Sequence, residues 1–221
     1  MHQWFIYSEF NQASAAAADF IADKITESIQ KNGICQVALP GGKTPAICLG
    51  YLAEKSLPWD KVHWYLGDER CLPQGDAERN DVMLEKYFWS NLSNTHVHVI
   101  PAELGADKAA EAYRQEISSV ASFDIVFLGM GEDGHTASLF PDHEALNDKR
   151  SVVPVYGSPK PPAERVSLSC GTLSNARCRV VLAAGEAKAN IIRRIKEGEA
   201  LPINRLGDIN WYVDKAAVAE K

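Results

Sequence analysis

Apolar positions along the chain recur with two different periods. Over residues 11–32, Ala18, Ile21, Ala22, Ile25 and Ile29 are spaced by three and four, and Gly33 follows as a stop signal. That spacing predicts an amphipathic helix from Asn11 to Asn32. Cys35 to Leu39 is a short apolar run and predicts a strand, after which Pro45 to Leu52 turns helical again. Val62–Leu66 and Val97–Ile100 are expected as strands, Ala77–Trp89 and Ala106–Ile117 as helices. Asp124–Leu128 is apolar and β-branched enough for a buried central strand. Arg165–Ser169 and Arg179–Ala183 predict two more strands, Glu186–Ile195 a helix, and Ile209–Val213 a last strand. Strands and helices alternating at this spacing predict an α/β fold. The sheet is expected to be mainly parallel and Rossmann-like, with helices on both faces, in a single domain. The Pro-rich stretch from Tyr156 to Pro162 is expected as an ordered loop, not a domain boundary.

Composition narrows the classes without changing this picture. The 221 residues carry a formal net charge of −6, which argues against a general nucleic-acid binder. No apolar run approaches the ~20 residues that span a bilayer, and the first residues lack a basic segment followed by an apolar one. Membrane and secreted readings are therefore not expected. The five cysteines are odd in number, form no CxxC pair and show no zinc-site spacing. Buried, reduced thiols in a cytoplasmic protein are the expectation.

In a parallel sheet, ligands bind beyond the carboxyl ends of the strands, so the loops after Leu39, Leu66, Leu128 and Ala183 are the places to look for chemistry. In Pro40-Gly41-Gly42-Lys43-Thr44-Pro45 the glycines allow close backbone approach, Thr44 can cap the next helix and Pro45 suits its first turn. Backbone N–H groups there, with Lys43, would form an anion site. A P-loop is excluded, because its first glycine position is occupied by Val37. Gly67-Asp68-Glu69-Arg70 sets two carboxylates beside a guanidinium, suited to acid–base work or to holding an anion; a solvated charge run is the alternative. The richest loop is Gly129-Met130-Gly131-Glu132-Asp133-Gly134-His135. Three glycines in six residues force an irregular turn that presents Asp133 and His135 after a buried strand. A neutral imidazole there can take a proton from water, with the carboxylate stabilising the imidazolium. Asp133, His135 and His143 match no standard metal spacing, so no metal is expected. Arg165 stands at a strand start. Lys188 falls in the first turn of a helix, where a cation opposes the dipole unless an anion is present too.

Residues 39–45, 67–70, 124–141, 158–169 and 179–188 together resemble the 6-phosphogluconolactonases, in the family that also includes glucosamine-6-phosphate deaminases. The most specific piece is the run from Leu128 to Pro141; Gly67–Arg70 and Pro159–Pro162 are also typical. Two departures stand out: Pro40 and Lys43 replace serines of the usual first loop, and Arg79-Asn80 replaces a frequent Ser-Asn. The resemblance implies one sugar-phosphate hydrolase domain over residues 1–221. Its substrate would be a small phosphorylated sugar lactone, opened by water without a cofactor. It further implies that His135 activates the water, Asp133 orients it and Arg70 holds substrate or oxyanion, with Asp68 and Glu69 as further catalytic candidates. Gly41, Gly42, Lys43, Thr44, Lys188 and Arg165 would grip the phosphate. A monomer or small homo-oligomer is expected. The rivals are an amino-sugar-phosphate deaminase, whose loops read differently at Gly67–Arg70 and after His135, and a non-catalytic sugar-phosphate sensor.

Overall fold

The computed structural model describes residues 2–219. Its ten strands among these residues are β1 (Gln3–Tyr7), β2 (Cys35–Leu39), β3 (Val62–Leu66), β4 (Asp68–Arg70), β5 (His96–His98), β6 (Ile125–Leu128), β7 (Val152–Val155), β8 (Arg165–Leu168), β9 (Cys178–Ala183) and β10 (Asn210–Asp214). The α-helices are α1 (Phe10–Asn32), α2 (Lys43–Ala53), α3 (Asn80–Tyr87), α4 (Ala106–Glu116), α5 (Cys170–Ser174) and α6 (Ala189–Lys196).

Seven strands form one parallel sheet in the order β1-β10-β9-β6-β2-β3-β5. The chain builds outward from β2 through β3 to β5, then returns to the other side of β2 with β6. The boundary between β2 and β6 is therefore the switch point, where the outgoing loops diverge and leave a crevice. Their apolar runs follow from burial: β6 is buried at every position, and β2 at all but Gln36. Helix α1 turns Ala13, Ala17, Ala18, Ile21, Ala22 and Ile25 inward. Its small residues let it lie close along β10 and the neighbouring strands. It ends where Gly33 takes a left-handed conformation (φ 82°) and its N–H donates to the Ile29 carbonyl at 2.8 Å.

Five elements differ from the sequence reading. The strand beginning at Arg165 is real but belongs to a second, antiparallel sheet in the order β4-β8-β7. Its apolar residues, among them Val152, Val166 and Leu168, join the same continuous core. Asp68–Arg70, expected as loop, is the first strand of that small sheet. Gly67 is the junction: its N–H donates to the Leu39 carbonyl at 2.8 Å, and its own carbonyl accepts from Leu168 N–H at 2.8 Å. The helix expected over 77–89 is confined to Asn80–Tyr87, since Arg79 N–H closes a turn onto Asp76 and Phe88 leaves helical geometry. Strands β1 and β7 were not anticipated. β7 carries Pro154, which an edge strand tolerates because one side of its backbone needs no ladder donor. No helix among the described residues is long and apolar enough to cross a membrane.

Candidate active site

The crevice at the switch point is a cleft of about 430 Å³. It is lined by the loops after β2, β6 and β9, with contributions from β4, α3 and the segment before β8. The sequence expectations converge here: Gly41, Gly42, Lys43, Thr44, Asp68, Arg70, His135, Arg165 and Lys188 all line it. Although the chain is acidic overall, five cations (Lys43, Arg70, Lys160, Arg165 and Lys188) face this cleft against the carboxylates of Asp68 and Glu132. The cleft is built for an anion.

The loop after β2 delivers its amides through α2. The first turn of α2 holds no acidic residue, and its N-cap is Gly42, at φ 104°, with no side-chain cap. Thr44 lies inside that first turn, so it does not cap the helix. The positive end of the helix is left to whatever enters the cleft. Gly41 is required for a different reason: a Cβ there would fall 1.8 Å from the Asn80 side-chain oxygen. Lys188, half-buried at the start of α6, donates to the Met130 carbonyl at 2.8 Å, leaving two ammonium hydrogens for a ligand. Burial pushes its pKa down, against the nearby Glu132 charge.

The loop after β6 folds back on itself. Gly131 N–H donates to the His135 carbonyl at 2.9 Å, and Gly134 N–H to the Gly131 carbonyl at 3.1 Å. Any side chain at Gly131 would strike the His135 ring at 2.1 Å and Asp133 at 2.4 Å. His135 Nδ1 donates to the Asp133 carboxylate at 2.5 Å, which fixes the tautomer and leaves Nε2 with a lone pair and no hydrogen-bond partner among the described residues. Burial pushes the imidazole below its ordinary range, and Asp133 only partly offsets this. Burial also works to raise Asp133, but its bond to His135 and that ring's charge prevail and hold it below the usual carboxylate range. Both shifts favour a neutral imidazole beside an ionised carboxylate near neutrality, the state a general base needs. The ring packs on Phe140 at 4.6 Å. Ser138 ties the loop to β4 by donating to Asp68 at 2.5 Å.

Two candidates serve differently from the sequence expectation. Glu69 is fully buried and outside the cleft, because successive side chains of a strand point to opposite faces. Arg165 reaches the cleft, but its Nε donates to the Pro162 carbonyl at 3.3 Å and its Nη2 to Lys160 and Pro161 at 3.2 and 2.8 Å. Its guanidinium therefore chiefly holds the Lys160 loop, lying 5.8 Å from the Phe140 ring. Arg70 has its Nη1 on the Glu78 carbonyl at 2.5 Å, and its Nε finds no acceptor among the described residues. His143 stays outside, accepting from Ala145 N–H at 3.1 Å and meeting the Tyr156 carbonyl at 2.7 Å. Among the described residues, no group of three or more His, Cys, Asp or Glu is placed to hold a metal ion.

A family model described as glucosamine-6-phosphate isomerases/6-phosphogluconolactonase matches residues 8–211. The chain belongs to this family. It is 34% identical to a 6-phosphogluconolactonase of Streptomyces coelicolor, covering 94% of this chain and 90% of that one. Its fold superposes on the crystal structure of a 6-phosphogluconolactonase from Thermotoga maritima with a TM-score of 0.91, at 28% identity over 97% of this chain and 100% of the other. A monomeric glucosamine-6-phosphate deaminase, at 20% identity and a TM-score of 0.84, shares the fold.

Asn80 and Lys160 are among the polar cleft residues that lay outside the sequence-based set. Asn80 lines the cleft from the first turn of α3, and Lys160 from the Pro-rich loop. Both lay in stretches singled out for other reasons, one as a departure from the usual pattern and one as a typical lactonase segment. Nothing in their local spacing signalled that α3 and the loop before β8 would close over the ends of β2 and β6.

Proposed function

We propose that this protein hydrolyses 6-phospho-D-glucono-1,5-lactone to 6-phospho-D-gluconate, in the oxidative pentose phosphate pathway, with His135 as the base. The observation that carries this reading is the joining, in one cleft, of His135, held by the Asp133 carboxylate behind it, with an uncapped helix N-terminus amid cations. The substrate's phosphate settles on the amides of Gly41–Thr44 with Lys43 and Lys188, which brings the lactone carbonyl towards His135. Nε2 takes a proton from water as its oxygen attacks C1, and Asp133 stabilises the imidazolium. Arg70 meets the negative charge that develops on the carbonyl oxygen. When the tetrahedral intermediate collapses, the C1–O bond to the ring oxygen breaks. That oxygen takes the proton back from Nε2, leaving a hydroxyl and a carboxylic acid that ionises.

A cytoplasmic setting is part of the reading, supported by five free cysteines; only Cys35 and Cys48 are buried, and Cys71, Cys170 and Cys178 are partly exposed, against the expectation of buried thiols. The test supplies freshly generated lactone and, separately, glucosamine-6-phosphate, subtracting the uncatalysed rate. Acid release accelerated from the lactone, with no ammonia from the amino sugar, is expected. Ammonia release without lactone hydrolysis would assign the cleft to the deaminase branch.

A further inference from the structure

Asp68 and Arg70 reach the cleft, while Glu69 between them points into the protein and makes no ion pair among the described residues. Instead its carboxylate collects backbone donors from two elements. Oε1 accepts from the N–H groups of Arg70 and Asn80, and Oε2 from that of Asp81, all at 2.8 Å. Asn80 and Asp81 open α3, whose own N-cap, Arg79, supplies no side-chain cap. Glu69 thus caps a helix eleven residues further along the chain, a role normally filled by the residue just before the helix. The helix end it secures carries Asn80, whose amide nitrogen donates to the Asp68 carbonyl at 2.9 Å and lies 3.3 Å from the Asp68 carboxylate. The other face of the same amide rests against Gly41 with no room for a methyl group.

We infer that Glu69 is a positioning residue: it locks the start of α3 onto β4, and through Asn80 it sets the placement of Asp68 and of the phosphate loop at Gly41. The inference rests on the lactonase reading of the cleft. Its consequence is a second ionisation. Burial drives Glu69 up to about 7, against the three backbone donors, and the Asp81 charge adds to the rise. The charged or titratable groups facing it are Cys71 on its own segment, Arg79 just before α3, Asp81 on α3, Tyr113 on α4 and Arg165 on β8. Arg79 is engaged with Asp81 at 2.6 Å and Glu103 at 2.8 Å. A proton on Glu69 turns one acceptor oxygen into a donor, so one of the backbone bonds is lost and the lock loosens on the acid side.

The experiment measures kcat and KM against pH for the wild type, Glu69→Gln, Asn80→Ala and the double variant, alongside carbon NMR of glutamate-labelled protein without substrate. Glu69→Gln is expected to lower kcat/KM by about tenfold, the equivalent of one lost hydrogen bond. The double variant should match Asn80→Ala, because the first change acts through the second residue. One carboxyl should titrate near neutrality in the wild type and be missing from Glu69→Gln, whose acid limb becomes shallower by one proton. Additive losses, or an unchanged acid limb, would overturn the inference. Should Glu69→Gln not fold, the residual activity of His135→Asn decides: an acid limb near neutrality supports the lock, and a flat profile refutes it. The NMR midpoint needs no substrate, so failure of the lactonase reading and failure of this inference are told apart.

Discussion

Replacing His135 by Asn is expected to lower kcat by about 10²–10⁴-fold, the usual contribution of a positioned general base. Asparagine is close in size and can still donate to Asp133, so the loop should keep its shape. It carries no basic nitrogen to receive the water proton. The amides of the phosphate loop and the guanidinium of Arg70 remain, which is why residual catalysis above the uncatalysed rate is expected. The pH dependence gives a second readout. Activity needs the neutral imidazole, and burial places its pKa below the ordinary value, so the imidazole's loss of activity falls on the acid side of about 6.5. That step should vanish in the variant. Asp133→Asn should cost less, since it removes the stabilisation of the imidazolium but leaves the base. A folded His135→Asn protein with near wild-type kcat would remove the base from the account.

Gluconolactone without its phosphate should react with kcat/KM at least ~100-fold below that of the phosphorylated lactone, a difference of about 2.7 kcal/mol. Three features set this expectation. The N-terminus of α2 has neither a capping side chain nor an acid in its first turn, so its dipole is uncompensated. Lys188 is held half-buried, where a cation is costly unless an anion joins it. Four further cations, Lys43, Arg70, Lys160 and Arg165, share the cleft. Binding energy from the phosphate is used to bring the distant carbonyl to His135, so the loss should appear in kcat as well as KM. Equal kcat/KM for the two lactones would show that these groups serve something else.

Much of this arrangement was legible in the sequence, because its key residues sit in loops that follow strongly patterned strands. Cys35–Leu39 reads as a strand and Asp124–Leu128 as a buried central one, and glycine-rich turns directly after them had to lie on one edge of a parallel sheet. What stayed hidden depends on long-range pairing. Asp68–Arg70 became a strand only by pairing with β8, and that pairing is what turned Glu69 inward, away from the cleft. Arg165 reads as one more cation until its bonds to three successive carbonyls are seen. Asn80 has no local signal at all, since its role comes from the contact of α3 with Gly41 and Asp68. The early edge strand β1 was hidden for a similar reason: it is defined by its partner β10, over two hundred residues away.

A crystal structure with the product, 6-phospho-D-gluconate, tests the central claim most directly. The account predicts the phosphate on the amides of Gly41–Thr44 with Lys188. It places the new carboxylate within hydrogen-bond reach, ~3 Å, of His135 Nε2 and beside Arg70. A product bound the other way round, with its phosphate at His135 and its carboxylate on the α2 amides, would contradict it.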